Sequence, residues 1–460
     1  MPVLVSNYLE KPVKCIIGRK LFKNTHEDNK MSKIIEHFQT ITSIPHCSGS
    51  AEGLREYMRD FARKHGYEVR TDAAGNLLAS RGTPRLCLQA HYDMVCVGRA
   101  PDIAIVEHSG WLSAKDASLG ADNGMAIAMM MVLMEEGAEA EFLFTADEEV
   151  GLIGASALDL QISSPYMLNL DSEEEAVVTI GCAGGADIVA EVFGGKVPGS
   201  GTTYEVAGRG LLGGHSGVDI DKQIPSAIKV LFDYLHDQGV EQIASVIAGQ
   251  RRNAIPSDAI AIVRSEQPLS STDAVQVRAL DETPEVYAQS RSLVEWVWRF
   301  DHGVRSYNET LGIPQTSINL ALINDAYDTG GLTIETSARA MSMEDLEALI
   351  QETVAEMDAA GWKVRVEDRY PAWEPEEGAF VRQVAEAIRA EYGHVETSAI
   401  HAGLECGILS RKLPGVQFAS IGPTILYPHS TRERVDLTSV EHTFRIIKAL
   451  IDPQSPVELP

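Results

Sequence analysis

The sequence predicts an α/β catalytic domain with a mostly parallel sheet flanked by helices, interrupted by an α+β lid domain. Three observations carry this. Helix and strand patterns alternate from Met31 to about Gly185, the texture changes between about 186 and 374, and helix–strand–helix alternation then returns to the C-terminus. Alternation of that kind implies parallel strands joined by helices packed on the sheet faces.

Taken in order, Ile34, Ile35, Phe38 and Ile41 recur at helical spacing, which makes Met31 a convincing domain start. Residues 1–30 form an N-terminal extension without an apolar core and cleavage site of the secretory kind. A cloning remnant, an upstream start and a short or disordered extension all remain open for it. Leu54 to His65 reads as an amphipathic helix, and Glu68-Val69-Arg70 and Leu77-Leu78-Ala79 as short strands. The apolar runs Leu86 to Ala90, Phe142-Leu143-Phe144 and Met167 to Leu170 read as buried strands, with a helix from Asn123 to Glu136 between the first two.

The catalytic domain is therefore expected in two segments, 31–185 and 375–460, with the lid or dimerisation domain, 186–374, inserted between them. The lid mixes strands such as Thr203 to Val206 and Ile260 to Val263 with helices over Ile224 to His236 and Met343 to Met357. Pro371-Ala372-Trp373-Glu374-Pro375 supplies a stiff boundary. Beyond it come a helix over Ala379 to Tyr392, a strand over Val416 to Ile421 and a closing helix from Val440.

At 460 residues and 44% hydrophobic content the chain can bury a large core. A formal charge of −27 repels phosphate backbones and anionic lipid, so neither nucleic acid nor membrane is an expected partner. The longest apolar stretch, Met125 to Met134, is too short to cross a bilayer. Cys15, Cys47, Cys87, Cys96, Cys182 and Cys406 are scattered without a paired motif, which predicts reduced thiols in a cytoplasmic protein. Cys96 and Cys406 fall near candidate site residues but read as packing groups.

The candidate site is assembled from the residues at the end of each buried strand. His91 and Asp93 come after the first, Glu148 and Glu149 after the second, Asp171 after the third, and His429 after the last, while Asp122 sits at a glycine-bounded turn opening a helix. Each has a bland alternative: a strand-end cap, an N-cap, a solvated acidic loop. Together, carboxylates and imidazoles at strand ends are the donor set of two divalent metals. The run Asp171-Ser172-Glu173-Glu174-Glu175 is expected to bury Asp171 and leave its glutamates largely solvated.

In these motifs the chain resembles the co-catalytic zinc metallopeptidases, a family of carboxypeptidase G-like enzymes, aminoacylases and dipeptidases. The matching residues are Ile44-Pro45-His46, His91-Tyr92-Asp93-Met94-Val95, Gly120-Ala121-Asp122-Asn123-Gly124, Asp147 to Leu152 and Asn169 to Glu173. Gly213 to Gly217, Asn253 to Pro256, His401 to Gly407 and Pro423 to Ser430 add to them. The resemblance implies two divalent ions, zinc foremost, with cobalt or manganese able to substitute. Asp122 would bridge them, with His91 and Asp171 on one and Glu149 and His429 on the other. Glu148 would act as general base, Asp93 would orient His91, and His215 would reach the reacting carbonyl, often across a dimer interface.

By the same resemblance Arg339 would pair with the substrate carboxylate, although Ala340 stands where the family has serine. Asn253, His401 and Glu405 would line the substrate cleft. The implied activity is hydrolysis of dipeptides with a free amino terminus, Xaa-His included, by a cytoplasmic homodimer. An N-acyl amino acid deacylase or carboxypeptidase is the alternative enzyme, and a non-catalytic metal-stabilised binding protein the alternative from another class.

Overall fold

In a computed structural model the structure describes residues 26–192, 194–326 and 330–452. The expectations for residues 1–25 lie outside them. The first helix, His26–Thr42, begins upstream of Met31, and Lys30 extends it by pairing with Glu136 at 3.4 Å.

An eight-stranded sheet forms the catalytic body. Its strand order is Glu68–Thr71, Leu77–Ser80, Glu141–Thr145, Leu86–His91, Tyr166–Asn169, Gln417–Ser420, Val177–Cys182 and Glu396–Ile400. The middle four run parallel, and the strand on each side, Leu77–Ser80 and Val177–Cys182, joins them antiparallel. The parallel strands are largely buried because helices cover both faces. Leu86–His91 and Glu141–Thr145 are buried at every residue. One covering helix, Ala121–Glu136, is buried from Ala121 to Met134, which is why its sequence shows no polar stripe. The helix His26–Thr42 and the C-terminal helix Leu437–Ile451 pack against it.

The second sheet is antiparallel and built almost wholly from the intervening segment, starting at Gly184 and ending with Lys363–Tyr370. Helices Ala227–Asp237, Ser290–Arg299 and Met343–Ala359 share one apolar core with it. The expected helix from Ile224 starts instead at Ala227. Pro225 biases its predecessor away from helical backbone, and Ser226 takes the flanking position.

The chain enters and leaves this second sheet at one place. Cys182 and Trp373 exchange both backbone hydrogen bonds, at 2.9 and 3.1 Å. Among the described residues no helix is long and apolar enough to cross a membrane.

The expectation of reduced cysteines is corrected by a disulfide between Cys47 and Cys96, whose Cα atoms are 5.5 Å apart. A separation of 49 residues gives no local signature, and folding creates the proximity: Cys47 bridges Met94 in register. Cys87, Cys182 and Cys406 are buried free thiols.

Candidate metal centre

Five chain segments converge at the carboxyl ends of the parallel strands, the rim where open α/β sheets bind ligands. His91 is the last residue of its strand. Its Nε2 lies 3.0 Å from Asp122 Oδ1 and 3.2 Å from Asp171 Oδ1. On the other side, His429 Nε2 lies 3.1 Å from Asp122 Oδ2 and 2.8 Å from Glu149 Oε1. Asp122 thus turns one oxygen to each imidazole. The donors form overlapping groups, His91–Asp122–Asp171 and Asp122–Glu149–His429, each within 4.8 Å. A third group joins Glu148 to His91 and Glu149.

Local sequence dictates how these side chains are held. Gly120 adopts a left-handed φ of 71°, and a Cβ there would sit 2.9 Å from Met94 Sδ, so only glycine suits the turn. Asp122 itself departs from helical backbone, so it is not the simple cap its position suggests. Glu433 fixes the turn. Its carboxylate accepts the N–H groups of Leu119, Gly120 and Ala121 at 2.7, 3.1 and 2.8 Å, and that of Asp122 at 3.4 Å. Burial pushes the Glu433 carboxyl up to about 7, with Asp122 adding to the effect.

Asp93 braces two ligand segments at once. Its main-chain oxygen lies 3.0 Å from His91 Nδ1, and its carboxylate lies 3.6 Å from the same nitrogen. That carboxylate also accepts from Ser48 Oγ at 2.7 Å and from the Glu148 and Glu149 N–H groups at 2.9 and 3.3 Å. Asn123 donates to Asp171 Oδ1 at 2.7 Å.

The electrostatics are those of a cation site. Burial disfavours charge on His429, yet the Asp122 and Glu149 carboxylates outweigh it and lift the imidazole to about 11. Burial likewise opposes charge on His91, but Asp171, Asp122 and Asp93 hold it well above its ordinary range. Glu148 is pushed the other way: desolvation first, then Glu149, raise its carboxyl well above the usual carboxylate range. Mixed nitrogen and oxygen donors, with carboxylate oxygens facing each imidazole nitrogen, fit two borderline divalent cations.

The expectation for the acidic run holds at Glu173 and Glu174, which are exposed, while Glu175 is half-buried. Desolvation of the Glu173 carboxyl, with Asp122 and Asp171 nearby, pushes it well up. Its place two residues after Asp171 was the available signal. Glu433, four residues after His429, and Asn123, beside Asp122, were also legible only as neighbours of ligands.

The lid brings a second cluster. His215 is a strand residue paired with Ala254, and its Nδ1 accepts from the Gly217 and Val218 N–H groups at 3.2 and 3.3 Å. That leaves Nε2 to carry the hydrogen. Burial, then Arg339 and His429, lower the imidazole to about 4, so it is a neutral donor. Arg339 is buried and donates to the Tyr370 hydroxyl at 2.6 Å. Ala340 beside it is fully buried in the lid core.

The remaining candidates differ. His401 Nε2 meets Ser317 Oγ at 2.7 Å, and burial with Arg339 lowers it to about 3. Glu405 is fully buried, accepting from Gln89 at 2.5 Å and Thr145 at 2.6 Å, and burial lifts it to about 7. Asn253 is exposed and touches the His215 loop through its backbone, accepting from Ser216 N–H at 2.9 Å.

A lidded sheet with acids and imidazoles gathered at its rim is the architecture of a hydrolytic metalloenzyme. The chain belongs to peptidase family M20/M25/M40, whose model matches residues 87–452. It is 29% identical over 471 residues to the cytosol non-specific dipeptidase of Escherichia coli (strain K12), an alignment covering 90% of this chain and 96% of that one. The aminoacylhistidine dipeptidase structure from Vibrio alginolyticus is similar at TM-score 0.71 and 27% identity, covering 91% of this chain and 96% of that one. Human carnosine dipeptidase 1 shares the fold at TM-score 0.55 and 13% identity, covering 92% of this chain and 97% of that one.

Proposed function

We propose that this enzyme hydrolyses dipeptides with a free amino terminus, Xaa-His dipeptides among them, using two divalent metals, zinc foremost. The single observation carrying the two-metal reading is Asp122, whose two oxygens lie 3.0 and 3.1 Å from the imidazoles of different ligand groups. His91 and Asp171 would hold one ion with it, and Glu149 and His429 the other. The similarity to the Escherichia coli and Vibrio dipeptidases supports the substrate class. The cytosolic Escherichia coli relative also favours a cytoplasmic enzyme, and the large lid favours a homodimer.

When bound, such a metal pair polarises the scissile carbonyl and acidifies water for attack at neutral pH. Glu148 takes the proton from the attacking water and delivers it to the departing amine. Asp93 keeps the His91 ring and the Glu148–Glu149 turn in place. His215 offers Nε2–H where negative charge develops on the carbonyl oxygen. Arg339 receives the terminal carboxylate as a planar bidentate donor.

A panel of free dipeptides, amino-blocked dipeptides and tripeptides, assayed after loading with zinc, cobalt or manganese, tests the reading. Free dipeptides should be cleaved, and blocking the amino group should abolish cleavage. Preference for blocked substrates would replace this activity with a deacylase. Failure with every metal would remove catalysis.

A further inference from the structure

Arg339, Gly185 and Tyr370 stand side by side on three neighbouring strands. Arg339 pairs with Gly185 in one antiparallel ladder, and Gly185 pairs with Tyr370 in the next. Adjacent strands lie about 4.8 Å apart, so residues two strands apart are normally separated by the side chain between them. Here the middle residue has none. A Cβ on Gly185 would run into Tyr370 Oη and Cζ. The phenol therefore crosses the empty strip, and its oxygen accepts from Arg339 Nη1 at 2.6 Å.

A second glycine shapes the other side of the ring. A Cβ on Gly403 would lie 2.9 Å from Tyr370 Cε2. Gly403 belongs to the catalytic loop between His401 and Glu405, whereas Tyr370 ends the last lid strand. The ring thus sits against both domains at the crossing point of the chain. Arg339 has its five N–H donors in a rigid fork. Nη1 is held by the phenol, and the buried Nε has no hydrogen-bond partner. Nε belongs to an edge of the guanidinium that can take a carboxylate side-on.

We infer that Tyr370 is a positioning residue for substrate selection: it turns the Nε edge of Arg339 toward the terminal carboxylate of the peptide, and Gly185 is the gap that lets it do so. The inference rests on the proposed carboxylate role of Arg339. It predicts a defect in reading the substrate's charged end rather than in bond cleavage.

The test compares a dipeptide with its C-terminal amide in the metal-loaded enzyme. Tyr370→Phe keeps the ring but removes the acceptor. It should raise KM for the free acid by roughly tenfold, the loss of one hydrogen bond to a charged group. kcat should change far less, and the preference for acid over amide should shrink. Gly185→Ala should act in the same direction by displacing the phenol, and if that variant fails to fold Tyr370→Phe decides alone. Arg339→Gln separates the two levels. If it abolishes the preference while Tyr370→Phe leaves it intact, the Tyr370 inference is overturned and the proposed function stands. If neither variant changes the preference, both fall. An equal loss on acid and amide in Tyr370→Phe would make the residue merely structural and also overturn the inference.

Discussion

The backbone N–H of Glu148 donates to Asp93 Oδ1 at 2.9 Å. One carboxylate therefore couples the first imidazole to the turn that carries the proposed base. Asp93→Asn keeps the shape but replaces one acceptor oxygen with an amide NH2, which cannot serve both this turn and Ser48. Metal affinity should weaken by roughly 10- to 100-fold, the usual effect of losing a group that supports a ligand. Calorimetric metal titration checks it, and unaltered affinity would remove Asp93 from this role.

Glu148 should separate binding from chemistry. Glu148→Gln or Glu148→Ala should keep metal content near normal while lowering kcat by about 10²- to 10⁴-fold, the range for a positioned proton carrier. Metal analysis beside single-turnover rates decides between outcomes. Retained turnover would rule out this base, and lost metal would make Glu148 a ligand.

Glu433 is a stability prediction as much as a functional one. Its carboxylate serves Leu119, Gly120 and Ala121, and a glutamine would turn donor against donor. Glu433→Gln should cost about 1 to 3 kcal/mol of stability, the penalty for unsatisfied buried groups. Denaturant unfolding measures it. An unchanged midpoint would show that the turn holds Asp122 without help.

His302 predicts an acid limb in the lid. Its Nδ1 accepts the Leu320 N–H at 3.0 Å, and burial, then Lys229, lower it to about 4. An unfolded chain takes up that proton near pH 6.5, whereas the folded lid resists until about pH 4. Stability from this group is thus complete above pH 6.5 and lost as pH falls toward 4. Allowing for partial solvent access, His302→Gln should recover roughly 2 kcal/mol at pH 4 relative to the native chain. His215 and His401 titrate in the same direction, so the readout is the difference between the two pH profiles. Parallel profiles would discard the assignment.

Much of the catalytic body was legible because its signals are local. Leu86 to Ala90 and Met167 to Leu170 are apolar runs that only a doubly covered strand needs, and the residues ending them point to the rim. His91, Asp122, Glu149, Asp171 and His429 could be gathered from order along the chain. Partnerships formed by long-range folding could not. The Cys47–Cys96 bond depends on a loop laid beside Met94, and Glu433 acquires its four N–H donors from residues more than 300 positions away. Tyr370 reads as one more strand aromatic until register sets it beside Gly185 and Arg339. Glu405 was visible as an acid near the cleft, but not its complete burial beneath Gln89 and Thr145.

The backbone pairing of Cys182 with Trp373 has a consequence for how such a chain can change over time. Because departure and return points touch, the chain leaves the catalytic sheet and re-enters it at one place, with 190 residues between. The inserted module is attached like a cassette through a single double-stranded stem. Modules of different length or selectivity could be exchanged at this stem while the rim of acids and imidazoles stays as it is.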